Sequence, residues 1–316
     1  MILAGIDIGT NTLRLLIADA GPATLRQLVS DRIITRLGQG IDRSGMLAPD
    51  AQERSISALA RFAEQVRLHS VTALDAVGTS ALRTAGNAQE FIRDVKDRTG
   101  LDIRVITGDE EARLTLLGVR SAFGEGSPAE QSGACMVLDV GGGSTEVILA
   151  RTDGESTERS LPMGAVYLTE RFLLHDPPHQ EEIATLRMSV REALRSLDEA
   201  GGAVRPTGLI GTAGTITTLA AMHLEMEEYD PVRINGSRLR RQDLDRLVTL
   251  LAGKSIGERR AIKGLEPGRE DIILAGAIVV QEIMERTGAA DLLVSDWGLR
   301  EGIVLDLYKK LRGTAD

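Results

Sequence analysis

One short pattern occurs twice in this chain, and it limits the possible folds more than any other feature. Asp7-Ile8-Gly9-Thr10-Asn11-Thr12 and Asp139-Val140-Gly141-Gly142-Gly143-Ser144 each follow one apolar run and precede another. Each reads as a strand ending in Asp, then Gly, a small residue, a turn residue and a hydroxyl, then a second strand. Taken singly, either is an ordinary hairpin turn. Two of the same grammar point to a duplicated half-domain, and two such halves facing one another would bring both turns to one cleft.

The segments around the repeat alternate strand and helix patterns, which argues for α/β architecture. Residues 2–8 and 13–19 read as strands, and 24–36 completes a small meander. Pro49-Asp50 opens a helix with Ile56, Leu59, Ala63 and Val66 at helical spacing. Strands at 75–78 and 103–106 follow, with helices after Asn87 and over 109–122. Residues 124–133, small, polar and proline-containing, are the best boundary signal. They divide the chain into 1–125 and 126–316, with the last helix, about 299–316, able to pack back on the first part. Beyond the boundary come strands at 134–140, 145–150, 207–210 and 291–295, with helices from 214, over 270–286 and from 299.

Bulk properties exclude several classes. The chain has 316 residues, and 42% are hydrophobic, enough for two cores. No apolar run reaches the roughly 18 residues of a membrane helix, and the N-terminus enters a strand without a basic leader region. The expected location is therefore the cytoplasm, with no membrane partner. A net charge of -9 argues against a DNA-binding platform. Cys135, the only cysteine, reads as a buried strand thiol rather than a nucleophile. The four histidines (His69, His175, His179, His223) fall in no metal-ligand spacing; His175-Asp176-Pro177-Pro178 reads as a loop.

Glycine and hydroxyl turns can aim several backbone N–H groups at an anion, so both repeated turns are candidate phosphate cradles. Gly211-Thr212-Ala213-Gly214-Thr215 follows an apolar strand and opens a helix, another natural anion position. Asp7 and Asp139 end buried strands, where an unpaired carboxylate would be costly. Glu146 lies just past Ser144, so Asp139 and Glu146 are candidate oxygen ligands for Mg2+. Arg83 follows a strand and could reach a phosphate. Arg14 alternates with apolar residues on a strand, which suits solvent exposure or a structural ion pair. Glu110 and Glu111 begin a helix, where acidic residues complement the dipole. Arg238, Arg240, Arg241, Lys254, Arg259, Arg260 and Lys263 read mostly as solvated helix faces. Trp297 and Tyr167 could stack a purine base, but simple packing accounts for them as well.

Together these segments resemble the Ppx/GppA family of exopolyphosphatases and guanosine pentaphosphate phosphatases. The resemblance rests on DIGTNTLRLLIAD at 7–19, GTSALRTA at 78–85, ITGDEEARL at 106–114 and LDVGGGSTEV at 138–147. It continues through GTAGTITTLA at 211–220, KGLEPGREDIILAG at 263–276 and SDWGLREGI at 295–303. It implies two actin-like (ribonuclease H-like) domains with a catalytic cleft between them. It further implies that Glu111 is the base activating water and that Asp139 and Glu146 hold Mg2+, with Mn2+ as a substitute. Asp7, Gly9, Thr10, Asn11, Thr12, Arg14, Arg83, Gly141, Gly142, Gly143, Ser144, Gly211, Thr212, Ala213 and Arg269 are the implied phosphate-binding set. The family usually has Ala where this chain has Glu270. Its longer members carry a further helical C-terminal region of the His-Asp type; the match here stops near 316, which shifts the expectation toward shorter polyphosphates or a guanosine pentaphosphate. A homodimer is also implied. Hydrolysis is the leading expectation, against a phosphotransferase on the same fold, for which no acceptor motif is visible, and a non-catalytic sensor of the same anions.

Overall fold

A computed structural model describes residues 1–22, 24–123, 134–151, 156–195, 197 and 206–313. The chain divides into two compact units, Met1–Gly118 with Gly298–Asp316, and Val119–Trp297. The expected boundary at 124–133 lies outside the described residues. The last helix belongs to the first unit, the packing that the sequence had allowed for it.

In the first unit, β1 (Ile2–Ile8), β2 (Thr12–Ala20) and β3 (Leu25–Ile34) form an antiparallel meander. β4 (Ala73–Gly78) and β5 (Ile103–Val105) then extend it in parallel, giving the order β3-β2-β1-β4-β5. The helices in chain order are α1 (Ile41–Ser44), α2 (Pro49–Leu68), α3 (Ser80–Thr84), α4 (Ala88–Thr99) and α5 (Gly108–Phe123), whose residues after Gly118 belong to the second unit. β1 is apolar almost throughout because both faces are covered. Ala4, Ile6 and Ile8 pack with Phe62 of α2 and Phe91 of α4, whereas Leu3 packs on the opposite side with Val304 and Tyr308. This two-residue alternation is the strand period at work.

The second unit repeats the plan. β6 (Ala134–Val140), β7 (Thr145–Arg151) and β8 (Ser156–Leu161) form the meander. The helices α6 (Ala165–Phe172) and α7 (Gln180–Arg195) follow. β9 (Gly208–Thr212) lies parallel to β6, and β11 (Asp291–Val294) parallel to β9, with the short β10 (Arg238–Arg240) at the edge. The order is β10-β11-β9-β6-β7-β8. Between them run α8 (Ala213–His223), α9 (Pro231–Ile234), α10 (Arg241–Ala252), α11 (Ile256–Arg259) and α12 (Ile273–Thr287); α13 (Leu299–Gly313) closes the chain in the first unit. The helix α12 is apolar on nearly every side and sits in the core. Its buried Glu282 is neutralised by Arg187 at 2.5 Å and Arg191 at 2.6 Å, both from α7, as a buried carboxylate requires.

Strands β8 and β10 and helices α6, α7 and α10 were not anticipated. β8 (STERSL) is an exposed edge strand with little apolar alternation, and Arg238 and Arg240, expected on a helix face, lie on edge strand β10. Arg259, also expected to be solvated, is 2% exposed. Its guanidinium donates to the carbonyls of Leu251 and Glu270 and so ties α10 to the start of α12. Cys135 is buried, and its apolar surroundings push the thiol up to about 12, which leaves it inert at neutral pH. No helix of the described residues is long and apolar enough to cross a membrane.

Candidate active site

The candidate residues fall into two groups, one in each unit. In the second unit, Asp139 at the end of β6 is in register with Glu146 on β7 and with Thr212 on β9. Residues directly opposite in a ladder share a face. Two carboxylates and a hydroxyl therefore line up across three neighbouring strand ends, all buried. Ser160 on β8 donates its hydroxyl to Glu146 Oε1 at 2.8 Å and fixes that carboxylate. The hydroxyl of Thr212 donates to the carbonyl of Trp297 at 2.9 Å. Beyond Asp139 the chain reverses through Gly141, Gly142 and Gly143, closed by Gly141 N–H donating to Ser144 O at 3.0 Å. A β-carbon on Gly141 would sit 3.0 Å from that same oxygen, so the tight turn favours glycine. At the β9–α8 junction, Ala213 has φ 68°, a left-handed conformation that a residue with a side chain rarely adopts. Gly211 before it has no room for a side chain: an added carbon would lie 2.3 Å from Ile216 Cδ1.

The first unit repeats this geometry with one charge reversed. Asp7 on β1 is in register with Arg14 on β2, where the second unit sets Asp139 against Glu146, and the pair is 3.5 Å apart. Arg14 is thus an ion-pair partner of the strand-end aspartate. The turn closes through Gly9 N–H to Thr12 O at 3.2 Å, and Thr10, Asn11 and Thr12 are buried. Gly78-Thr79 leads from β4 into α3 as Gly211-Thr212 leads from β9 into α8, each threonine being the residue just before the helix.

The paired acids at the start of α5 have separate fates. Glu110 joins Arg104 at 2.6 Å, and Arg104 also grips Asp75 through two hydrogen bonds of 2.8 Å. Glu111, 7% exposed, instead receives Arg83 Nη1 at 2.6 Å, and the same nitrogen reaches Ile106 O at 3.1 Å. A guanidinium nitrogen anchored on a backbone carbonyl fixes the orientation of the carboxylate it also meets. Arg113, the other charged residue of this motif, is an ion-pair partner of Asp306 on α13 at 2.9 Å.

Arg269 lies on the loop before α12, buried, with its Nε directed to Glu266. Its neighbour Glu270 accepts from Gly268 N–H at 2.9 Å and lies 3.5 Å from Arg260, so this acidic residue organises the loop. The ring of Tyr167 packs against the second core, and its hydroxyl accepts from Arg171 at 2.7 Å, a packing role.

The structure also gathers three residues that their spacing had not suggested. Ligand-type atoms of His175, His179 and Glu182 lie within 4.8 Å of one another. The imidazoles are stacked, 3.9 Å apart and inclined by 17°, so their lone pairs run side by side instead of converging. Glu182 already accepts from Leu174 N–H, His175 Nδ1 and His179 N–H, which makes it a cap for α7. Desolvation pushes this carboxyl up, but the bonds from His175, His179 and Leu174 outweigh it and hold the group at about 2, below its ordinary 4.5. A depressed carboxyl stabilises the fold above its unfolded value and loses that contribution as pH falls. Glu182→Gln should therefore flatten the pH dependence of the melting temperature between 4.5 and about 2. An unchanged acid profile in that variant would contradict the cap.

Asp139 and Glu146 offer hard oxygen donors on one buried face, which suits Mg2+ or Mn2+ and would not suit a soft metal.

The matching family model is described as the Ppx/GppA phosphatase family and covers residues 16–311. Exopolyphosphatase 2 of Mycobacterium tuberculosis is 38% identical, over 96% of this chain and 98% of its own. The crystal structure of an exopolyphosphatase from Cytophaga hutchinsonii is 30% identical with a TM-score of 0.88, covering 99% of this chain and 98% of the other. The Aquifex aeolicus member of the Ppx/GppA family is 32% identical with a TM-score of 0.81, covering 98% of both. Near-complete coverage at these identities, with both duplicated turns intact, leaves one assignment: the chain belongs to the Ppx/GppA phosphatase family.

Proposed function

We propose that this chain is a magnesium-dependent exopolyphosphatase of the cytoplasm, removing terminal phosphate from inorganic polyphosphate by attack of water. The observation that carries this reading is Glu111, buried and gripped by Arg83, in a chain whose two units each present a turn suited to phosphate. Glu111 would accept a proton from the attacking water while Arg83 keeps its carboxylate aimed. The water oxygen bonds to the terminal phosphorus, the anhydride P–O bond breaks, and the shortened chain leaves with the electron pair. Backbone N–H groups of the two turns, other than those of Gly9 and Gly141 that close them, would hold the phosphate oxygens. Asp139 and Glu146 would hold the divalent cation, whose charge offsets that of the phosphates. Thr212 and Ala213 would border the same phosphates, and Arg269 would shape the loop beside α12. A homodimer belongs to this reading through the family resemblance alone.

The test is phosphate release from tripolyphosphate, long-chain polyphosphate and guanosine pentaphosphate, with Mg2+, with Mn2+ and with chelator. Release from at least one polyphosphate, abolished by chelation, is the expected result. Release from guanosine pentaphosphate alone would move the substrate to the nucleotide. Dependence on an added acceptor would make the chain a phosphotransferase, and binding without release would make it a sensor.

A further inference from the structure

The glycine turn of the second unit is held from behind. The first N–H groups of a helix have no acceptor within it. In α6 they donate to the turn: Ala165 to Gly141 O at 2.9 Å, and Val166 and Tyr167 to Gly142 O at 2.8 and 3.2 Å. Gly164 N–H adds a bond to Gly143 O at 3.3 Å. Three successive carbonyls thus point at the start of α6. In a trans peptide the following N–H points the opposite way. The N–H groups of Gly142, Gly143 and Ser144 therefore face away from α6, and among the described residues none of them donates to a protein acceptor. The segment that does the holding is itself fixed, because the buried hydroxyl of Thr145 donates to Met163 O at 2.8 Å.

The first unit contains the same device made from a loop. Gly38 N–H donates to Thr10 O at 2.8 Å, and Thr35 and Arg36 N–H both donate to Asn11 O, at 3.1 and 3.0 Å. Counted from the strand-end aspartates, Thr10 and Asn11 correspond to Gly142 and Gly143. Each holding segment follows the third strand of its meander. Each also contains a glycine pressed on the turn. A β-carbon at Gly164 would lie 2.2 Å from Gly142 O and 2.4 Å from Gly143 N, and one at Gly38 would lie 2.4 Å from Thr10 Cγ2.

We propose that residues 163–166 and 35–38 are straps that turn the peptide planes of the two phosphate loops. They draw the carbonyls back and present the N–H groups to substrate oxygens. Gly164, Gly38 and Thr145 are positioning residues in this scheme, acting through the turn without touching substrate. The inference rests on the hydrolase reading, since it gives the presented N–H groups a phosphate to bind.

The clearest probe is Gly164→Ala in the full chain with tripolyphosphate. The added methyl meets backbone, so the turn must move. The expected fall in kcat/KM is about 100-fold, the scale of losing one preorganised donor. Thr145→Val loosens the strap without a clash and guards against misfolding of the first variant. It should lose about tenfold, with Thr145→Ser restoring the wild-type value, because only the hydroxyl matters. Hydrogen exchange supplies a readout that general destabilisation would not give. Tripolyphosphate should slow exchange at the Gly142, Gly143 and Ser144 amides of wild type, and this protection should shrink in Thr145→Val. Wild-type turnover with no protection at these amides, or Gly164→Ala and Thr145→Val both within threefold of wild type, would overturn the straps and leave the hydrolase reading standing. Absence of wild-type hydrolysis would instead remove the reading on which they rest.

Discussion

Replacing Glu111 by Gln should cut phosphate release by about 10²–10⁴-fold, the range for losing a general base, which raises the barrier by roughly 3–5 kcal/mol. Gln keeps the shape and one acceptor oxygen for Arg83, so the hydrogen bond at 2.6 Å has a successor while the base does not. The loss should therefore appear in kcat, and tripolyphosphate should still bind, measured by calorimetry on a protein that no longer consumes it. Some loss of stability is also expected, because the 83 guanidinium is left beside a neutral partner, and a disturbed charge-assisted bond is worth about 1–3 kcal/mol. Glu110→Gln is the internal control. Its carboxylate belongs to Arg104, so turnover should stay close to wild type. Comparable loss in both variants, or a Glu111→Gln enzyme keeping a third of its activity, would remove Glu111 from the mechanism.

That control depends on a choice that the family resemblance made and the two residues by themselves could not. Glu110 and Glu111 are adjacent acids in one helical turn, equally suited to the dipole, and only their partners Arg104 and Arg83 separate them. The two Asp-Gly turns were legible because each is a local pattern, closed by a hydrogen bond spanning three residues. The straps were not, since their acceptors lie more than twenty residues away in the chain. Strand β8 was hidden by its polarity, although Ser160 there orients Glu146. Arg259 looked like one more solvated cation until α10 and α12 enclosed it. The return of the last helix to the first unit was allowed by the sequence, but where α13 buries its apolar face is a tertiary fact, and composition at 124–133 carries no information about it.

The packing of α13 on α5 also gives the largest stability prediction. A β-carbon on Gly302 would lie 1.8 Å from Leu114 O, and one on Gly118 would lie 1.9 Å from Gly298 O. Both obstacles are backbone, so no rotamer change relieves them and the helices must separate. Around this crossing Leu114, Leu299 and Ile303 form a small core with Val77 and Ile106, and Arg113 reaches Asp306 across it. Ala at a helical glycine would by itself gain about 1 kcal/mol of helix propensity. Overpacking of a close-packed site costs about 1–3 kcal/mol and sometimes more, and a backbone obstacle belongs at the upper end. The clash should win. Gly302→Ala is expected to lower the melting temperature by roughly 4–12 °C, at about 2–4 °C per kcal/mol for units of this size. Gly313, near the end of the same helix, has nothing within 4 Å of an added carbon. Gly313→Ala should be neutral or slightly stabilising, which separates the contact from propensity. If Gly302→Ala melts with or above wild type, the two helices do not approach as closely as their glycines allow, and the attachment of the last helix to the first unit must be redrawn.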